Sequence, residues 1–230
     1  MPRNDSVRGR NLKLLQDHGF SPANWLPLPS NRELCPGPLR PADEIARRLM
    51  ALDSLFTWVA FDAEAAASER IADYQSRNSL MEMLTDDEKA IVGMSREYAN
   101  EEHSHNIGWK LENMWGLAWV LGFAQIPDHR GGEIPHEISK EIVYQFLPGL
   151  DASVSNLLGE TEVRTFDDVD QMEDLFYLAH NAARSAQLGE STVPDGFHPM
   201  IDAGAIHERR HALSWCLSPG HTWEDTDMST

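Results

Sequence analysis

The chain of 230 residues has few cysteines, few basic residues after its first fifty positions and no long apolar run. Its two cysteines, Cys35 and Cys216, are too few and too far apart for a disulfide framework or a cysteine-type zinc site. This scarcity favours a reducing cytosol. The longest apolar run, residues 114–124, is shorter than the roughly 20 residues that a membrane-spanning helix needs. The first ten residues also lack the apolar core of a signal peptide.

Acidic residues dominate the charge of the chain, which has a net charge of −18. Residues 1–50 carry eight Lys/Arg and five Asp/Glu, a balance of +3, whereas the other 180 residues carry eleven and thirty-two, a balance of −21. This acidic body argues against unspecific binding to nucleic acid or to an anionic membrane, and it allows a basic protein partner. The simpler interpretation is that the acidic body promotes solubility, with the basic N-terminal segment lying against it. One acidic cluster is interpreted as a solvated helix end: Glu97, Glu101, Glu102, His103 and His105.

Strand patterns are also scarce, because residues 162–166 form the only plausible strand and one strand cannot make a sheet. We therefore predict an all-α fold, a compact multi-helix bundle-like domain spanning residues 1–230. An N-terminal helix and a Pro-rich connector occupy residues 1–41, a helical core residues 42–222 and an acidic tail residues 223–230. Apolar spacing, capping residues and terminal glycines predict helices at residues 7–18, 138–147, 167–188 and 203–217. Another predicted helix begins at residue 41 and continues to about residue 74. The region from residue 86 to residue 122 is also predicted to be helical, with a break near residues 103–106.

A Trp-rich segment at residues 108–122 marks the centre of the predicted core, and one acid, Glu112, lies within it. Burying a carboxylate alone is costly, so we expect Glu112 to pair with an arginine. Arg48, Arg184 and Arg210 are the candidates, because each lies on a mostly apolar predicted helix. We interpret the pair as a structural ion pair that fixes helix register, and the alternative is a small polar ligand bound around Glu112. Five tryptophans are expected in the core: Trp58, Trp109, Trp115, Trp119 and Trp215.

A second motif, at residues 207–211, matches the H-E-x-x-H pattern of zinc hydrolases and falls on a predicted helix. His207 and His211 are four residues apart and share a face that can hold Zn²⁺, while Glu208 can act as general base on the bound water. Two arginines at the central positions disfavour a bound dication. A third ligand is also missing at position 217, where one class of zinc protease has a histidine and this chain has Leu217. The scaffold interpretation of this helix is therefore preferred.

Four segments occur in an order that resembles a known family. They are RPADEIARRLMAL (40–52), GWKLENMWGLAWVLG (108–122), ERRHALSW (208–215) and WEDTDMST (223–230). Together they resemble the uncharacterised bacterial family called domain of unknown function 4272, over residues 5–230. The resemblance implies a helical fold and a bacterial cytosolic setting, and it implies no reaction and no catalytic residues. The family's ending is closer to Trp-Asp-Asp-Val, and the chain departs from it at Glu224, Thr226 and Met228.

These observations predict a cytosolic, non-enzymatic binding or regulatory module with an acidic surface and no cofactor. An exposed patch on the Trp-rich helix would favour this interpretation. The first alternative is a metal-dependent hydrolase that holds zinc at His207 and His211 with Glu208 as its base. The second alternative is a protein that binds a small polar ligand around Glu112.

Overall fold

The computed structural model describes residues 5–23, 25–27, 38–62 and 64–230, and the regular structure in these residues is entirely helical. The predicted all-α class is thereby confirmed. The plausible strand at 162–166, which the prediction of an all-α fold sets aside, is not formed in the described residues, and Arg164 there donates its backbone N–H to the carbonyl of Val120 at 2.9 Å. The structure does not describe Cys35 or most of the Pro-rich connector. For residues 5 and 6 it describes the backbone and not the side chains. None of the described helices combines the length and apolar character that crossing a membrane requires.

The chain divides into two compact units. Unit 1 comprises Met1–Leu39, Pro127–Glu133 and Thr165–Thr230, and unit 2 comprises Arg40–Ile126 and Ile134–Arg164. Organisation as a single domain stays a prediction.

Unit 1 is built on a long helix, α9 (Phe166–Gln187), against which α1 (Asp5–Asp17) and α10 (Ile201–Cys216) both pack. Each of the three lies within two residues of its predicted bounds. Gly19 ends α1 with a positive φ of 84°, and a Cβ there would lie 2.9 Å from Cβ of Pro194. Only glycine therefore fits this turn without strain.

Unit 2 surrounds α2 (Ala42–Ala60), whose side chains are buried along most of its length. The other helices of unit 2 are α3 (Ser68–Arg77), α4 (Asp86–Val92), α5 (Arg96–His103), α6 (Trp109–Val120), α7 (His136–Glu141) and α8 (Val154–Gly159). All of them except α7 pack around α2, which explains why so much of α2 is buried. The 3₁₀ turn Leu80–Met83 precedes α4, and α7 continues into a π-helical turn, Ile142–Phe146.

The predicted continuation of α2 to about residue 74 is wrong, because the helix ends at Ala60 and the backbone of Phe61 is extended. The side chain of Asp62 then accepts a hydrogen bond from the backbone N–H of Ala65 at 2.8 Å. The guanidinium of Arg96 donates to the carbonyls of five residues at this helix end and the loop after it. Terminal helix carbonyls lack intrahelical partners, and here a distant arginine supplies the missing donors. These acceptors belong to Thr57, Trp58, Phe61, Asp62 and Ala66.

The tryptophan prediction is confirmed for Trp115, Trp119 and Trp215, which are buried, whereas Trp58 and Trp109 are half-buried. Every residue of α6 after its first turn is buried. The Trp-rich helix therefore offers no exposed patch within the described residues. Such a patch would have supported the interpretation of the protein as a binding module, and this helix does not provide that support.

Candidate functional site

A cluster of polar side chains lies buried between α9 and α10 of unit 1. Helix α9 contributes Glu173, Tyr177 and His180, which are four and then three residues apart and so share one face. Helix α10 contributes Arg210 and Ser214, which are one turn apart. We call these five residues the Arg210 cluster. Its members come together because α9 and α10 pack along these two faces.

The centre of the Arg210 cluster is a buried ion pair. The Nε of Arg210 donates to Oε1 of Glu173 at 3.1 Å, and both side chains are 1% exposed. The hydroxyl of Ser214 donates to the same carboxylate oxygen at 2.8 Å, and Nη1 of Arg210 lies 2.8 Å from Nδ1 of His180. The guanidinium carbon lies 4.8 Å from the centre of the Tyr177 ring. A buried pair with this many hydrogen bonds meets the condition under which burial of charge is tolerated.

Burial decides the protonation of the cluster. It lowers the pKa of Arg210 to about 10, so the guanidinium remains a cation at neutral pH. Burial, with the charge of Arg210 beside the ring, lowers the pKa of His180 to about 2. His180 is therefore neutral, and its Nδ1 accepts the hydrogen bond from Arg210 while its proton lies on Nε2.

The remaining donors of the cluster hold the segment that follows α10. Arg210 donates through Nη1 to the carbonyl of Met228 at 3.0 Å and through Nη2 to that of Ser229 at 3.1 Å. His211, the next residue of α10, donates through Nε2 to the carbonyl of Trp223 at 2.8 Å. A polar centre between two helices therefore also fixes a stretch of irregular chain.

The H-E-x-x-H motif lies on α10, as predicted, with the ring centres of His207 and His211 6.2 Å apart. The His180 ring, from α9, lies 5.1 Å from that of His207, and Glu208 is half-buried. Within the described residues, no three or more His, Cys, Asp or Glu side chains are placed to hold a metal ion. The structure thus places the two histidines on one helix, and the described residues supply no third ligand beside them. Zinc binding at this motif remains an untested prediction.

The histidines give the protein a predicted loss of stability in mild acid. Burial lowers the pKa of His180 to about 2, that of His129 to about 4 and that of His207 below its ordinary value. In the unfolded chain all three titrate near 6.5, so below that pH the unfolded state binds more protons than the native state. Their contribution to stability is complete above pH 6.5 and is lost as the pH falls toward the folded pKa values, about 4 for His129 and about 2 for His180. His180 alone accounts for about 2 kcal/mol at pH 5.

Urea unfolding at about pH 7.5, 6 and 5 measures this loss. The His180→Gln variant should show a shallower pH dependence than the wild type, whereas His136→Gln, at an exposed position, should follow the wild type. An unchanged unfolding free energy from pH 7.5 to pH 5 would contradict the neutral, buried state of His180.

Unit 2 contains a second buried ion pair, which joins α2 to α4. Arg48 binds the carboxylate of Glu88 through both terminal nitrogens, at 2.6 and 3.0 Å, and Lys110 of α6 reaches the same carboxylate at 2.6 Å. Glu88 also closes the predicted capping box with Thr85. Burial alone would raise the pKa of Glu88, but Arg48 and Lys110 outweigh it and lower the pKa to about 2. This carboxylate therefore serves as helix cap and as ion-pair partner.

Glu112 is buried, as expected, and its Oε1 accepts a hydrogen bond from the backbone N–H of Ile134 at 2.7 Å. The three candidate arginines have other described partners. Arg48 binds Glu88, Arg210 binds Glu173, and the exposed Arg184 donates to Gln187 at 2.6 Å. An ion pair between Glu112 and an arginine, and a small ligand bound around Glu112, both stay predictions.

Asp53 is a buried carboxyl group that the sequence reasoning missed. It lies on α2, and its described partner is the hydroxyl of Tyr74, 3.4 Å from Oδ2. Burial raises the pKa of Asp53 to about 7, although the bond from Tyr74 lowers it in part. The sequence could have indicated that Asp53 is buried, because this residue falls one turn after Leu49 on the apolar face of α2.

The comparisons with known proteins identify a family and no activity. The family described as "Domain of unknown function (DUF4272)" matches residues 8–226 of the 230-residue chain. The chain therefore belongs to this family, and the predicted resemblance is confirmed. No curated protein and no solved structure matches the chain.

Proposed function

We propose that this protein is a cytosolic, non-enzymatic binding module whose partner is a basic protein segment. The observation that carries the proposal is an exposed aromatic ring among exposed acids on α5. Tyr98 is 50% exposed, and Glu97, Glu101 and Glu102 around it are exposed as well. We call these four residues the α5 face.

The helical spacing brings the acids of the α5 face together. Glu97 and Glu101 are one turn apart, as are Tyr98 and Glu102, so the two rows run side by side. In the part of the chain that the structure describes, none of the three glutamates has an ion-pair partner. The nearest base in sequence, Arg96, directs its guanidinium to backbone carbonyls.

This combination suits an arginine or a lysine of a partner. An exposed ring attracts a cation over its face by about 0.5–1 kcal/mol, and carboxylates at its edge add Coulomb attraction that salt weakens. A basic segment with several cations would gain from both, because the body of the chain carries a balance of −21. Such binding is expected to be fast and strongly salt-dependent.

The engagement of the polar side chains in unit 1 supports a non-enzymatic role. Glu173 and His180 receive hydrogen bonds from Arg210, and His211 is bonded to a backbone carbonyl. A general base needs a lone pair directed at substrate, whereas the Nδ1 lone pair of His180 and one carboxylate oxygen of Glu173 accept hydrogen bonds from within unit 1. The hydrolase alternative would require this arrangement to open.

A basic peptide tests the proposal. We expect a fluorescein-labelled peptide of alternating arginine and serine to bind at about 50 mM salt and to bind much more weakly at about 300 mM. The triple variant Glu97→Gln, Glu101→Gln, Glu102→Gln should weaken binding about tenfold, since each exposed charge contributes about 0.5 kcal/mol. Fluorescence anisotropy measures both effects.

The matched control removes three exposed acids elsewhere, through Glu160→Gln, Glu190→Gln and Asp195→Asn. It changes the net charge equally and should reduce affinity by less than about twofold. If both triple variants lose affinity to the same extent, net charge alone attracts the peptide and the α5 face is not its site. Absence of binding at low salt would also contradict the proposal.

A further inference from the structure

The segment at residues 222–230, which follows α10 in unit 1, is held in an unusual way. Of its nine side chains only Trp223 and Thr226 are buried, whereas the others are exposed or half-buried. We call it the closing segment. A stretch with two buried side chains contributes little apolar area to a core, so its attachment depends on specific contacts.

One buried side chain, Trp223, anchors the closing segment on α10. The Trp223 ring lies 4.3 Å from the ring of His211 and 5.4 Å from that of Trp215, measured between ring centres. The other, Thr226, closes a turn around this anchor, because its hydroxyl donates to the carbonyl of Thr222 at 3.2 Å. A tryptophan and a threonine three residues later therefore fix the shape of the segment against the helix.

Three further hydrogen bonds from α10 are made to the backbone of the closing segment. His211 binds the carbonyl of Trp223, and Arg210 binds those of Met228 and Ser229. Backbone carbonyls are available from any sequence, so these three bonds select an extended or turning peptide without selecting its side chains. The carbonyls at 228 and 229 also lie beyond the residues that the family match covers.

One acid of the closing segment acts on Arg210. The segment carries Glu224, Asp225 and Asp227, of which the first two are exposed, and the guanidinium of Arg210 is already paired with Glu173. Asp227 acts to raise the pKa of Arg210, against the larger effect of burial. An aromatic anchor, three backbone acceptors and an acidic side chain that acts on an arginine are features by which protein grooves hold short peptides.

We infer that the surface of α10 formed by Arg210, His211 and Trp215 is a binding site for acidic peptides that carry a tryptophan and, three residues later, a threonine. The closing segment occupies this site as an intramolecular ligand, and a competing acidic peptide displaces it. The inference concerns unit 1 and does not depend on the basic partner proposed for the α5 face.

The inference predicts that weakening the closing segment opens the site to a peptide added in trans. A tethered ligand competes at an effective concentration of about 1 mM, so the wild-type protein should bind a free copy weakly. The probe is a fluorescein-labelled peptide with the sequence of residues 221–230, HTWEDTDMST. We expect the Trp223→Ala protein to bind it at least about tenfold more tightly than the wild type.

Two controls make the result specific. The Trp25→Ala protein loses an exposed tryptophan of the same unit and should bind the peptide as weakly as the wild type. A peptide in which the tryptophan is replaced by alanine should not bind the Trp223→Ala protein. Equal binding of the two peptides would overturn the anchor role of tryptophan and with it the inference.

If Trp223→Ala does not fold, hydrogen exchange of the wild-type protein tests whether the closing segment detaches from α10. A displaceable ligand opens without global unfolding, so the amides of residues 223–229 should exchange at least about a hundredfold faster than those in the middle of α10. Exchange of both at the same slow rate would make the closing segment an integral part of the fold and overturn the inference. A folded Trp223→Ala protein that binds the peptide no better than the wild type would do the same.

Discussion

Replacing Arg210 by methionine should lower the free energy of unfolding by about 3–5 kcal/mol at neutral pH. The substitution removes the counter-charge of the Glu173 carboxylate, which is 1% exposed and also accepts a hydrogen bond from the Ser214 hydroxyl. It also removes the donor to Nδ1 of His180 and two donors to the closing segment. Removing one partner of a buried pair is costly because the other charge stays buried without compensation. Urea unfolding followed by circular dichroism measures the loss.

Two further variants separate the buried charge from the loss of packing. Arg70→Met breaks an exposed pair with Asp151 and should leave stability unchanged. Adding Glu173→Gln to Arg210→Met neutralises the stranded carboxylate, so the double variant should be more stable than Arg210→Met alone. A loss below about 1 kcal/mol for Arg210→Met, or a double variant with no recovery, would show that the ion pair does not hold α9 against α10.

Replacing Asp53 by asparagine should instead raise the free energy of unfolding, by up to about 4 kcal/mol at pH 9. The pKa of Asp53 is about 7 in the folded protein and 3.8 in the unfolded chain. Its protonated form therefore contributes stability that is complete below pH 3.8 and is lost as the pH rises through 7. Asparagine is neutral at every pH and avoids this loss, although its amide needs a hydrogen-bond partner in the same place.

The gain should stay near its full size from pH 9 to about pH 7 and then shrink between pH 7 and pH 4, which distinguishes it from an improvement in packing. Asp73→Asn, at an exposed position of α3, serves as the control and should change stability little at either pH. Thermal unfolding of the three proteins at pH 4, 6, 7.5 and 9 gives the comparison. Destabilisation by Asp53→Asn at pH 9 would mean that the carboxylate is ionised and well compensated in the native state.

Local signals in the sequence predicted most helices, because the features that start and stop them lie within a few residues. The Thr85–Glu88 capping box and the glycine after α1 both mark boundaries that the structure contains. The end of α2 was missed because Arg96, which binds the carbonyls there, lies more than thirty residues away. Helix α8 was missed because its six residues are too few for an apolar repeat.

The candidate site was predicted only in part. The motif at 207–211 directed attention to its histidines, yet the residue that organises the site is Arg210, at a variable position of the motif. Glu173 and His180 fall at helical spacing on α9, and their burial could have been inferred from the apolar residues beside them. The partners of Arg210 and Arg48 depend on how the helices pack. A single sequence does not specify this packing, so it could not predict the pairs with Glu173 and Glu88.

Fluorine NMR of the protein labelled with 3-fluorotyrosine tests the central claim, a basic partner on the α5 face, most directly. The chain has four tyrosines, of which Tyr98 and Tyr144 are exposed while Tyr74 and Tyr177 are buried. Titration with the arginine–serine peptide at low salt should shift the Tyr98 resonance and leave that of Tyr144 in place, and added salt should reverse the shift. A shift of Tyr144 in the absence of a shift of Tyr98, or no shift at all, would contradict the account.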